Sequence, residues 1–439
     1  MRRGIGLLAV GLLLAGCAGT PRAAPALDGG GGAIDGPLKA VVRGLAPGEQ
    51  AVVWARTTDD RGRLWTSWGV FAADRSGRVD IATQSPTSGS YTGVDPTGLL
   101  WSMRLPSGEL VSDPFAVVRG PELGLTIGVD VGGRTLAQSP VAVQLHTPGV
   151  RSVPIAEAGL VGDLHLPPGP GPHPGVILLG GSDGGRPDPG LGRFLAGKGF
   201  AVLGLAYFGL PGLPPALERI PVEYGTRAVD WLRTRPDVSD GPVGVVGLSR
   251  GGEFALLLGA FSSDVGAVAS VVGSGVVFPG ATPTASSWTH AGAELPPLTT
   301  DSAGIPPALL FSATRGRPVR FVDTQGTTAT PEQLDHAAIP VERNNAAYLL
   351  VSGERDEMWP SQRLLDVAAR RLGDRAEHVV QPGAGHFILG VPNLPTSYTS
   401  AVPLVPEVFW AAGGGAPQAN AAATADTVRR VVELFREEL

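Results

Sequence analysis

The reading turns on Gly241-Pro-Val-Gly-Val-Val-Gly-Leu-Ser-Arg-Gly-Gly-Glu-Phe-Ala-Leu-Leu-Leu-Gly259. The β-branched run Val243 to Val246 predicts a buried strand, the small residues around Ser249 a tight turn, and the apolar run from Phe254 a helix. Gly247 and Gly251 flank the serine at the spacing of a nucleophile elbow, where a Cβ on either side would collide with the crowded backbone. Such a turn lifts the hydroxyl above the sheet and aims the helix N-terminus at any oxyanion formed there, with the N–H of Arg250 as the natural first donor.

Outward from that stretch, the chain after Pro154 alternates strand and helix patterns. Val176 to Leu179, Ala201 to Leu205, Val265 to Val272, Ala347 to Val351 and His378 to Val380 read as strands. The segments ending at Gly199, Val222 to Arg235, Ser361 to Leu372 and Asn420 to the C-terminus read as helices. Repeated units of this kind predict a mostly parallel sheet with helices on both faces over residues 151–439. Upstream, short alternating runs such as Ala51 to Arg56 and Trp68 to Ala73 are separated by turn signals at Ala46-Pro-Gly48, Asp59 to Gly62 and Asp74 to Gly77. They predict an antiparallel β-sandwich over 36–150. The proline- and threonine-rich stretch 278–345 has little periodicity and is expected to be a lid or substrate-entry excursion.

The 439 residues carry a net charge of −6 without a basic cluster, which leaves no electrostatic footprint for nucleic acid. Apolar residues make up 43%, enough for packed cores, and the 64 glycines and 41 prolines punctuate apolar runs instead of replacing them. Cys17 is the single cysteine, so an intrachain disulfide and a thiolate metal cluster are both excluded. It follows a positive start, an apolar segment from Ile5 to Leu14, and the small residues Ala15 and Gly16. Leu14-Ala15-Gly16-Cys17 resembles a bacterial lipobox, which implies removal of residues 1–16, a lipid anchor on Cys17 and an extracytoplasmic location at the membrane; an ordinary secretory leader is the competing reading. Residues 18–35, rich in small residues, proline and four consecutive glycines, are expected to be a flexible tether.

A serine nucleophile needs a base, and the base needs an orienting acid. Of seven histidines, His386 stands out: Pro382-Gly-Ala-Gly-His386 follows a short strand and places the imidazole at the carboxyl edge of the sheet. Asp356, in Ser352-Gly-Glu-Arg-Asp356, lies just past a strand and is the expected acid, with Glu354 its rival and a plain capping role its bland alternative. Asp323 and Asp335 are weaker candidates. A second oxyanion donor is expected from the turn Gly180-Gly-Ser-Asp-Gly-Gly185, at Gly181 or Ser182. That turn lacks the lysine and hydroxyl of a nucleotide-binding P-loop. Neither a metal nor a cofactor is called for.

With these motifs in view, the sequence resembles the acyl-CoA thioesterase and bile acid-CoA:amino acid N-acyltransferase family over nearly all of its length after the tether. The likeness lies in Gly44 to Gly48, Gly93 to Trp101, Leu195 to Val202, Gly247 to Glu253, Ile339 to Arg343 and Pro382 to His386. The resemblance implies an N-terminal immunoglobulin-like sandwich and a C-terminal α/β-hydrolase domain, with nucleophile Ser249, acid Asp356 and base His386. Acyltransferase members carry cysteine as nucleophile, so Ser249 points to hydrolysis of an acyl thioester by water. Two departures stand against a direct transfer of substrate: the leader, and the stretch 278–330. An exported carboxylesterase or lipase-like hydrolase of envelope lipids, and a non-catalytic surface lipoprotein, are the alternatives.

Overall fold

The computed structural model describes residues 25–106, 115, 120–282, 284–299, 318–323, 327–397, 401–405 and 409–439. Cys17 and the lipobox lie outside them.

The N-terminal part is a sandwich. One antiparallel sheet runs in the order Ser88–Gly89, Leu64–Ala72, Gln50–Thr58, Glu122–Val131, Arg134–Gln144, and a smaller one pairs Ala26–Gly30, Lys39–Arg43 and Val79–Asp80. Alternation decides which side chains face inward: Ala51, Val53 and Ala55 join Phe71, Ile127 and Val129 in one apolar core with Ala40 and Val42 of the smaller sheet. The hairpin at Asp59 closes on its carboxylate, which accepts from the N–H groups of Arg61 and Arg63 and from Trp65 Nε1 at 3.0 Å.

The expected tether needs correction from residue 25 on, residues 18–24 of it lying outside the described ones. Ala26–Gly30 is a strand, and Ile34 is buried, its carbonyl accepting from Asn393 Nδ2 at 2.8 Å. A Cβ on Gly31 would lie 1.6 Å from the carbonyl oxygen of Ala142. Gly31 therefore serves close backbone approach, a use that composition does not distinguish from flexibility.

The second part is an eight-stranded sheet: β1 (Arg151–Glu157), β2 (Leu160–Leu166), β3 (Gly175–Leu179), β4 (Ala201–Ala206), β5 (Val243–Leu248), β6 (Val265–Val271), β7 (Ala347–Gly353) and β8 (Ala376–Gln381). Its order is β8-β7-β6-β5-β3-β4-β2-β1, with β2 antiparallel to β1 and β4 and every other pairing parallel. Among the described residues, five helices cover it: α1 (Pro189–Gly197), α2 (Val222–Arg233), α3 (Arg250–Phe261), α4 (Ser361–Leu372) and α5 (Pro417–Glu438). Val176 and Leu178 of β3 join the cluster of α1 and α5, whereas Ile177 and Leu179 join that of α2, α3 and α4. Burial on both faces explains the uninterrupted apolar strands.

Of the stretch 278–345, the described portion is largely exposed or half-buried but fastened at a few buried points. Trp288–His290 pairs in parallel with Ile220–Pro221, Pro331–His336 is a short helix closed by a capping box between Thr330 and Gln333, and Trp288 is fully buried, stacked on Phe254 at 4.5 Å. Its anchors are isolated buried contacts, which leave no periodic signal. Residues 283, 300–317 and 324–326 of this stretch lie outside the described ones.

Candidate active site

Ser249 follows β5 directly, with φ 57° and ψ −118°, a left-handed conformation that an L-residue holds only when its surroundings impose it. Those surroundings are backbone: a Cβ on Gly247 would lie 2.1 Å from Gly251 O, and one on Gly251 would lie 2.2 Å from Gly180 O. The Ser249 N–H donates to Val271 O at 2.9 Å, which ties the turn to β6. Ser249 holds the N-cap position of α3 without using its side chain as a cap, and it is half-buried. The helix begins at Arg250, directly after the serine, as the turn at Ser249 leads one to expect.

His386 and Asp356 meet: Nδ1 of the imidazole lies 2.9 Å from Asp356 Oδ2, and both side chains are almost wholly buried. The carboxylate can only accept, so Nδ1 carries the proton and Nε2 is the acceptor nitrogen of the ring. Asp356 Oδ1 takes the N–H groups of Met358 and Trp359 at 2.9 and 3.3 Å, which fixes the carboxylate from behind. It does not cap α4, whose N-cap is Pro360. The loop bearing His386 is pinned to α5 and the segment before it: His386 N–H donates to Gly413 O at 2.7 Å and Gly385 N–H to Asn420 Oδ1 at 2.8 Å. Glu354 faces elsewhere, accepting from Gly383 N–H at 2.7 Å. Asp323 pairs with Arg320 on the surface, and Asp335 lies exposed in the short helix Pro331–His336.

The same three residue types also line up at Ser352, His378 and Asp366, with both contacts at 3.1 Å. Ser352 is completely buried in β7, so no substrate can reach it. Other histidines are occupied structurally: His165 contacts Ser152, and His290 contacts Glu223.

The glycine turn after β3 lies where the sequence places it. A Cβ on Gly181 would be 3.7 Å from Ser249 Cβ, and Ser182 follows, exposed. Arg250, as the first residue of α3, has an N–H without an intrahelical acceptor. Its side chain is buried, its guanidinium 3.1 Å from Glu253 Oε2 and hydrogen-bonded to Pro279 O and Ser287 Oγ. Glu253 also accepts from Phe278 N–H at 2.9 Å and Trp288 Nε1 at 2.6 Å. Burial pushes its carboxyl up to about 7, against the opposing pull of Arg250.

Sequence reasoning missed this buried pair, and it missed Tyr207, whose hydroxyl reaches the carbonyls of Gly180 and Gly181 at 2.8 and 3.1 Å. The one signal for Tyr207 is its place directly after β4, at the carboxyl edge of the sheet. Among the described residues, no three His, Cys, Asp or Glu side chains gather as a metal site.

A mostly parallel sheet with this strand order, carrying a serine on the sharp turn between its central strand and the following helix, is the α/β-hydrolase arrangement. Within that class the chain belongs to the acyl-CoA thioester hydrolase/BAAT family. Residues 35–157 match the family's N-terminal region and residues 220–439 the family described as BAAT / Acyl-CoA thioester hydrolase C terminal. Acyl-coenzyme A thioesterase 2, mitochondrial, of Mus musculus is 32% identical over 417 residues, covering 92% of this chain and 87% of the relative. Acyl-coenzyme A thioesterase 1 of Homo sapiens is 32% identical, covering 92% and 94%. The peroxisomal succinyl-coenzyme A thioesterase of Mus musculus is 33% identical, again covering 92% and 94%.

Proposed function

We propose that the protein hydrolyses acyl-CoA-type thioesters through a serine acyl-enzyme, with Ser249 as nucleophile, His386 as general base and Asp356 as the orienting acid. The observation that carries this reading is the buried 2.9 Å contact of His386 Nδ1 with Asp356, which leaves Nε2 free to take a proton. Ser249 Oγ attacks the thioester carbonyl as its proton passes to Nε2, and the carbonyl oxygen becomes an oxyanion held by the N–H groups of Arg250 and the Gly181–Ser182 turn. Collapse expels the thiolate, which takes the proton from the imidazolium. Water, deprotonated by the same Nε2, then attacks the ester and releases the carboxylic acid and the free serine.

Replacing Ser249 by Ala is expected to lower thiol release from acyl-CoA by at least about 10⁴-fold and to abolish fluorophosphonate labelling. Retained turnover in that variant would rule the mechanism out. Mass spectrometry of a rapidly quenched reaction should find the acyl group on Ser249.

We further infer that Cys17 bears a lipid anchor and that the enzyme works on the outer side of the cytoplasmic membrane. The leader from Met1 to Cys17 supports this. It also favours a second reading of the substrate, an oxygen ester of an envelope lipid, because coenzyme A is a cytoplasmic cofactor. Paired acyl-CoA and oxygen-ester substrates of graded length separate the two readings. A fatty-acid analogue fed to cells should tag the wild type; equal tagging of a Cys17→Ala variant defeats the anchor.

A further inference from the structure

Two peptide groups of the turn beside Ser249 are held from one side by a single phenol. Tyr207 Oη donates to Gly180 O at 2.8 Å and to Gly181 O at 3.1 Å, one hydrogen shared between two carbonyls. In a trans peptide the C=O and the following N–H point in opposite directions. The carbonyl of Gly180 shares its peptide plane with the N–H of Gly181, and that of Gly181 with the N–H of Ser182. Fixing both oxygens on Tyr207 therefore turns both N–H groups away from it.

The phenol cannot drift. Its ring lies 5.1 Å from Phe208, 5.1 Å from Phe254 and 5.8 Å from Trp288, and Trp288 is in turn fastened through Nε1 to Glu253. Phe254 and Glu253 both belong to α3, the helix that also supplies the N–H of Arg250. The two proposed halves of the oxyanion hole, which come from elements about seventy residues apart in the chain, are thus set against each other through one buried aromatic block. Burial pushes the Tyr207 hydroxyl far above its ordinary titration range, so it remains a neutral donor.

We propose that Tyr207 is the positioning residue of the oxyanion hole, its hydroxyl orienting the N–H groups of Gly181 and Ser182 toward the carbonyl attacked by Ser249. This rests on the serine reading above. Tyr207 itself touches no reacting atom. Its contribution belongs to the transition state, because preorganised donors act on charge that develops only there.

The test compares Tyr207→Phe with the wild type on the full mature enzyme. Expected are a fall in kcat of about 10- to 100-fold with KM within threefold, and a matching loss of affinity for an acyl trifluoromethyl ketone, whose adduct carries the oxyanion. Affinity for the non-hydrolysable thioether analogue should hold. Tyr207→4-aminophenylalanine, which restores an N–H donor in the same place, should recover part of kcat, and it carries the test alone where the Phe variant does not fold. A kcat within twofold of wild type in Tyr207→Phe, or equal losses for ketone and thioether, overturns the proposal. Ser249→Ala in the same assays separates the two readings: a dead Ser249 variant beside an unaffected Tyr207 variant sinks only the positioning role, whereas an active Ser249 variant sinks the serine mechanism itself.

Discussion

Gly251 packs against Gly180 so closely that a single added Cβ would stand 2.2 Å from the Gly180 carbonyl oxygen and 2.7 Å from that of Leu179. The first turn of α3 and the turn after β3 thus touch backbone to backbone, which is the condition for donors from both to converge on one oxygen. Gly251→Ala must separate them by a large fraction of an ångström. Expected are a loss of about 1–3 kcal/mol in stability and a fall in kcat of about 10²-fold or more. Gly124→Ala, on a sandwich strand with nothing near its would-be Cβ, should change the urea midpoint and kcat little. Equal behaviour of the two variants would show that the contact has no role in the chemistry.

Two acids stand within three residues of each other after β7, and their partners differ. Asp356 contacts His386, whereas Glu354 accepts from the backbone of Gly383. Asp356→Asn presents the imidazole with an amide that no longer holds a proton on Nδ1, so kcat should fall about 10⁴-fold. Glu354→Gln keeps an oxygen for Gly383 N–H and should stay within about threefold. Comparable losses in both variants would return the orienting role to Glu354.

Glu253 titrates against the stability of the fold. Its folded-state value, pushed up by burial to about 7, lies above the ordinary 4.5, so the folded protein holds a proton that the unfolded chain has released. The stabilisation is complete below about pH 4.5 and is lost as pH rises through about 7. Urea unfolding between pH 5 and 8 should therefore show a decline in the wild type, on the order of 1 kcal/mol or more, that is missing in Glu253→Gln. Parallel curves for the two proteins would mean that Glu253 is ionised throughout, held by Arg250.

Much of the catalytic domain was legible because burial on both faces of a parallel sheet writes itself as apolar runs. Val265–Val271 and the amphipathic Ser361–Leu372 are cases in which local pattern and tertiary setting agree. Gly251, Gly252 and Glu253 carry no helical periodicity, so the start of α3 is legible only through the turn at Ser249, which places a helix directly after the serine. The glycines at 29–32 deceived for a related reason, since composition cannot say whether a missing side chain frees the backbone or lets another strand approach. Tyr207, Glu253 and Trp288 find one another across tens of residues, through single contacts that leave no repeating signature. His386 and Asp356 are different: chain order and a place after a strand single out both residues, and their side chains lie 2.9 Å apart.

His165 gives an opposite pH signature far from Ser249. It lies in β2 beneath α1, where a Cβ on Gly192 would come 2.4 Å from the imidazole, and its Nδ1 contacts Ser152 Oγ at 2.7 Å. Burial, helped by the charges of Arg193 and His146, drives it down from 6.5 to about 4. A histidine depressed in the fold stabilises above its unfolded value and ceases to do so as pH falls through the folded one. The gap corresponds to about 3 kcal/mol, lost progressively between about pH 6.5 and 4. His165→Gln lacks that titration, so its urea midpoint should fall less steeply than that of the wild type over the same range. Carboxylates that titrate in both proteins cancel in the comparison. An imidazole resonance of His165 that titrates near 6.5 in the folded protein would remove the basis for the difference, since a group with the same affinity for protons in both states cannot couple folding to pH.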